Sequence, residues 1–119
     1  MQRLLTACAA CCIVVLVVLS WIPGLYMVRT QVLSGPQEHF LAYALSGIIV
    51  AAARRSSGPF HVAAFLVLLA AVLELGQHFV PGRNPAIADF AASAFGAIAG
   101  VAITWLTAAL LKFHRPLCL

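Results

Sequence analysis

Residues 60–79 read FHVAAFLVLLAAVLELGQHF, and this stretch decides the fold. From Val62 to Leu73 it holds no polar side chain. A helix of about 20 apolar residues spans the hydrocarbon core of a bilayer. Near the end of the run come Glu74, Gln77 and His78, spaced three and four apart and so on one helical face. Glu74 lies about 7–8 Å short of Phe79 along the helix axis. An ionisable group so near hydrocarbon is costly and marks function by default.

Working outward, punctuation separates this run from its neighbours. Arg54-Arg55-Ser56-Ser57-Gly58-Pro59 is a tight polar turn on one side, and Pro81-Gly82-Arg83-Asn84-Pro85 is another on the other side. Beyond them lie apolar runs at 38–53 and 87–111, and a further one at 4–22 that Pro23-Gly24 ends. Pro36 suits the first turn of the second helix. The pattern predicts an all-α chain: a single domain over residues 1–119, folded as a polytopic membrane four-helix bundle with short loops.

Composition agrees. Of 119 residues, 64% are hydrophobic and 8% charged, with mean hydropathy +1.07. A soluble domain carries roughly 25% charged residues. The net charge of +4 does not indicate nucleic acid, because the basic residues stand scattered at the ends of apolar runs. That is how cytoplasmic loops are marked. Arg3, Arg54, Arg55, Lys112 and Arg115 fall on one side, Arg29 and Arg83 on the other. Both termini are therefore expected in the cytoplasm, with the first helix uncleaved. The cysteines Cys8, Cys11, Cys12 and Cys118 lack paired zinc-site spacing and read as packing residues.

All three acids then fall on the outer side. His39, Tyr43 and Gly47 form one stripe of the second helix, with Glu38 beside it in the first turn. Asp89, Ser93, Gly96 and Gly100 form a stripe of the fourth. Polar stripes turn toward protein rather than lipid, so Glu38, His39, Tyr43, Glu74, Gln77, His78, Arg83, Asp89 and Ser93 are expected to meet as one ligand site. His39, Glu74 and Asp89 are its candidate catalytic groups. Arg83 is the natural cationic partner for a carboxylate there. Plainer roles compete: Glu38 as a helix-dipole partner, Arg83 with Asp89 as a loop staple, His39 and Tyr43 as interfacial amphipaths. Gly96 and Gly100 allow close helix approach within the bundle.

These residues resemble motifs of the VanZ-like family of small bacterial membrane proteins. HFLAY at 39–43 is similar to its His-Phe-x-x-Tyr motif, Glu74-Leu75-Gly76-Gln77 with Pro81-Gly82-Arg83 to its Glu-x-x-Gln…Pro-Gly-Arg motif, and Asp89 with Gly96 and Gly100 to its Asp…Gly…Gly helix. Gly35 and Pro36 stand where members often have Asp-Lys, and Ser93 where they often have Asn. The resemblance implies a role in the bacterial cell envelope and, for some members, low-level resistance to the glycopeptide teicoplanin.

The function expected is binding or modification of a membrane-associated ligand, either a lipid-linked peptidoglycan precursor or a lipoglycopeptide, in the bacterial cytoplasmic membrane. A membrane hydrolase or transferase built on the His, Glu, Arg and Asp residues is the alternative, although no serine or cysteine obviously adjoins a base. His39, Glu74, His78 and Asp89 offer metal-ligand chemistry but no complete zinc motif, so neither metal nor cofactor is expected. A small transporter subunit needs a site near the midplane, which the one-sided cluster does not provide. A purely structural bundle is the remaining reading.

Overall fold

The structure, a computed structural model, describes residues 1–27 and 32–113. Arg29, His114, Arg115 and Cys118 lie outside the described residues. Among the described residues are four α-helices and no strand: α1 (Gln2–Trp21), α2 (Gly35–Ala53), α3 (Pro59–Gly76) and α4 (Ile87–Phe113). Three helices are long and apolar enough to cross a membrane, namely α1, α3 with its 3₁₀ extension to Phe79, and α4. The fourth, α2, is shorter at 19 residues and begins with polar side chains.

The boundaries differ from expectation in physically legible ways. Residue 38 was the expected start of α2, but the helix begins at Gly35 because Ser34 and Gln37 form a capping box. Gln37 Oε1 accepts from Ser34 N at 3.0 Å, satisfying a donor that the helix start leaves over. The α-helical part of α3 ends at Gly76, and Gln77–Phe79 tightens into a 3₁₀ turn. The connection from α1 to α2 is not short. It runs over residues 22–34 and includes a 3₁₀ turn at Gly24–Tyr26.

Side-chain and backbone contacts fix the directions. Gln2 Nε2 donates to Ala53 O at 2.6 Å, joining the start of α1 to the end of α2. His39 of α2 meets Ser93 of α4, and Thr104 Oγ1 of α4 donates to Ile48 O of α2 at 3.4 Å. Thus α2 and α4 run parallel to each other and antiparallel to α1 and α3. The bundle has a Glu74 end and a Lys112 end.

Parallel α2 and α4 are the most closely packed pair, and glycine makes this possible. A Cβ on Gly96 would lie 2.3 Å from Phe40 O, and one on Gly100 would lie 2.1 Å from Ala44 O. Gly47 returns the contact toward Ala97 O at 2.8 Å. Backbone thus meets backbone, which multiplies individually small dispersion contacts. Around this seam Ala51, Leu66 and Ala97 are fully buried. Outside it, Phe65, Leu68, Val72, Phe95 and Leu106 face outward. So continuous an apolar exterior marks an interaction surface rather than a water-facing one.

Candidate functional site

At the Glu74 end the helices part around a cavity of about 210 Å³. Two turns of α2 supply Glu38, His39, Ala42 and Tyr43, and α3 supplies Leu73 and Glu74 with Gln77 just beyond its end. Ser93 of α4 and Arg83 of the α3–α4 loop complete the polar lining. Seven of the nine expected residues therefore share one space.

Several of these side chains first do structural work. Glu74 is buried, and its Oε1 accepts from Ala86 N at 2.7 Å. Ala86 immediately precedes α4, so the carboxylate sits at the positive end of that helix, where negative charge is favourable. Gln77 Nε2 donates to Ser20 Oγ at 3.0 Å, tying α3 to α1 through two buried groups. Arg83 Nε donates to Ile22 O at 3.1 Å and Nη2 to Leu19 O at 2.5 Å. The staple expected between Arg83 and Asp89 is instead a staple from the loop to the last turn of α1. Backbone reinforces it: Gly24 N donates to Pro81 O at 3.0 Å, and Gly82 adopts φ +74° against Gly24. Replacing Arg83 by lysine should lower stability by about 1–2 kcal/mol, since an ammonium cannot reproduce the two-pronged grip on both carbonyls. Denaturant midpoints of the two proteins check this.

His39 and Ser93 form the remaining contact. His39 Nδ1 lies 3.2 Å from Ser93 Oγ, which in turn donates to Asp89 O at 2.9 Å. The hydroxyl has one hydrogen, and the Asp89 carbonyl takes it. With that hydrogen on Asp89 O, Ser93 Oγ can act toward His39 Nδ1 only as an acceptor. Contrary to the sequence reading, a serine does adjoin a base. Ser93 is only 2% exposed, however, and its Oγ also contacts the Asp89 carbonyl of its own helix.

Two expected members stand apart. His78 is exposed, and its Nδ1 contacts Leu75 O at 3.2 Å. Continuous α-helical spacing would have stacked it over Glu74. The 3₁₀ turn advances each residue further round the axis, turning Gln77 inward and His78 outward. Asp89 is half-buried in the first turn of α4 and does not line the cavity. There its charge complements the helix dipole. With these two displaced, no group of three metal-ligating side chains gathers among the described residues.

Sequence reasoning missed one wall. Leu16, Leu19, Ser20 and Ile22 of α1, with Tyr26 and Met27 of the following loop, close the cavity. Only Ser20, a lone polar residue in an apolar run, signalled it.

The chemistry left for a ligand is acceptor-rich. Tyr43 is 5% exposed, and its hydroxyl has no hydrogen-bond partner among the described residues. Glu74 Oε2 and His39 Nε2 likewise have none there. Such a lining suits hydroxyl, amide N–H or ammonium donors set among apolar walls. Comparison of the chain with family models, with curated proteins and with solved structures finds no match.

Proposed function

We propose that this chain is a polytopic membrane protein of the bacterial cell envelope that binds a membrane-associated ligand in the cavity at its Glu74 end. All four helices cross the cytoplasmic membrane, the termini are cytoplasmic and the cavity opens toward the outer surface. The apolar exterior and three long apolar helices support the membrane placement, and the excess of Lys and Arg at the Lys112 end supports the orientation. A lipid-linked peptidoglycan precursor is the ligand class that fits best, with a lipoglycopeptide such as teicoplanin as the second member of it. Both carry sugar hydroxyls and amide N–H groups beside an alkyl chain.

The observation that carries this reading is Tyr43. Its ring is buried, yet its hydroxyl keeps no hydrogen-bond partner among the described residues and lines the cavity shared with Glu74 and His39, where a ligand group can supply one. The cavity is smaller than the roughly 300–1,000 Å³ of drug-sized sites, so it takes one polar group of a larger amphiphile, not the whole. In nanodiscs, lipid-linked precursor should bind wild type saturably. Tyr43→Phe should weaken binding about five-fold, the worth of one hydrogen bond, at unchanged melting temperature. Equal affinity for both proteins removes Tyr43 from the site.

The His39–Ser93 contact gives an acyl-transfer or hydrolase reading its one specific support, since a nucleophile beside a base is the required pairing. Binding is favoured over it because Ser93 is 2% exposed and its Oγ lies nearer to Asp89 O of its own helix than to the ring. Ser93→Ala retaining full ligand binding and full cellular activity would close the enzymatic reading.

A further inference from the structure

Glu74 is a buried carboxylate for which the described residues supply no cation. It is 9% exposed, its Oε1 accepts from Ala86 N at 2.7 Å, and its Oε2 has no partner among the described residues. The start of α4 offers it only about half an elementary charge. A carboxylate held away from water without a counter-charge is costly. Its free oxygen is not sealed in. Among the described residues, Trp105 Nε1 alone is a polar side-chain atom that is both inaccessible and unpartnered. Glu74 Oε2 and the Tyr43 hydroxyl also lack partners, and are therefore reachable from the cavity they line.

Charge selects among the donors that could enter. The lining holds two carboxylates, Glu38 and Glu74, against one guanidinium, Arg83. Arg83 directs Nε and Nη2 to the carbonyls of Ile22 and Leu19 rather than to Glu74. A phosphate or carboxylate entering here meets surplus negative charge, and a neutral hydroxyl leaves that surplus uncompensated. A primary ammonium cancels it and brings three N–H donors. Glu74 Oε2 and Tyr43 Oη are acceptors for two of them. His39 Nε2 is the third when Nδ1 carries the ring hydrogen toward Ser93 Oγ. Hydrogen bonds to an ionised partner are roughly twice as strong as neutral ones. Leu16, Ala70 and Leu73 supply apolar wall for the methylene groups that carry the amine.

We propose that the group this cavity takes is a primary ammonium on the head of an amphiphile, with its charge set against Glu74. The proposal rests on the outer-cavity reading above and narrows it: the amine of the ligand enters, not its phosphate or its sugar. Two sources carry this chemistry, an aminophospholipid of the bilayer and a lipid-linked precursor with a free amine on its peptide.

The test uses the full chain in phosphatidylcholine nanodiscs, whose quaternary headgroups have no N–H to donate. Two pairs of probes are titrated, with retention read by native mass spectrometry. One pair is phosphatidylethanolamine and its isostere with hydroxyl in place of ammonium. The other is the lipid-linked precursor and the same molecule acetylated on its peptide amine. Wild type should prefer the amine in at least one pair by roughly ten-fold or more, the worth of a hydrogen bond to a charged group. Glu74→Gln, which keeps an acceptor for Ala86 N, should abolish that preference. Asp89→Asn, whose charge lies outside the cavity, should retain it. Preference confined to the phosphatidylethanolamine pair supports the ammonium site and removes the precursor as its occupant. Equal binding within both pairs overturns the ammonium and leaves precursor binding standing. A preference that survives Glu74→Gln, or is lost in Asp89→Asn, overturns Glu74 as the counter-charge. Binding of no probe overturns this inference together with the reading it rests on.

Discussion

Gly100→Val is expected to break the bundle. The Cβ alone would stand 2.1 Å from Ala44 O and 3.0 Å from Ile48 N, both backbone atoms of α2. No rotamer change relieves a clash with backbone, so α2 and α4 must separate along the seam that Gly47, Gly96 and Gly100 create. Replacing a helical glycine normally gains up to about 1 kcal/mol of backbone entropy, and overpacking costs about 1–3 kcal/mol or more. The clash wins because it displaces the closest helix pair in the molecule, and β-branched valine has the least freedom to adapt. The expected outcome is a net loss of at least about 2 kcal/mol, read as a lower thermal midpoint in detergent. Gly58→Val makes a useful contrast. Its strain comes from φ +77°, while the nearest atom to an added Cβ is a side-chain nitrogen 3.8 Å away. An unchanged midpoint for Gly100→Val would mean the seam is not there.

The second large effect concerns Glu74. In Glu74→Ala the Ala86 N–H loses its acceptor, and α4 loses the negative charge at its start. Leaving a buried donor unpaired costs about 1–3 kcal/mol, and truncating a buried side chain adds to that through the cavity it leaves. In Glu74→Gln the side-chain carbonyl still accepts from Ala86, so stability should fall by less than about 1 kcal/mol. Ligand binding should nevertheless weaken in Glu74→Gln, because the amide replaces an anionic acceptor at the cavity wall. The pair of variants therefore separates the two roles of one residue. Equal stability loss in both would show that charge, not the hydrogen bond, anchors α4.

The sequence made the helices legible because composition and punctuation do not depend on tertiary contacts. The apolar run ending at Glu74 had to be helical, and Pro-Gly and Arg-Arg-Ser-Ser-Gly-Pro had to interrupt. Most of the polar lining was legible too, since His39 and Tyr43 share a stripe and Ser93 shares one with Gly96. The failures have local causes. His78 was misplaced because periodicity assumes an unbroken α-helix, and the 3₁₀ turn at Gln77 changes the angular step. Arg83 was paired with the nearest acid in sequence, whereas the carbonyls left over at the end of α1 were closer in space. Helix ends always leave such acceptors, but only the fold reveals which loop reaches them. The α1 wall, Ser20 aside, was hidden because its contributing leucines differ in no way from their outward-facing neighbours.

The central claim is that the space beneath Tyr43 holds a group of an amphiphilic ligand. Filling that space tests it most directly. Ala42 lines the cavity and is only partly buried, so Ala42→Phe can place its ring there without displacing the glycine seam. Lipid-linked peptidoglycan precursor titrated into nanodiscs of wild type and of Ala42→Phe provides the measurement, with melting temperature as the control. Wild type should bind saturably, and the filled variant should lose binding at unchanged melting temperature. Equal affinity of the two proteins would contradict it.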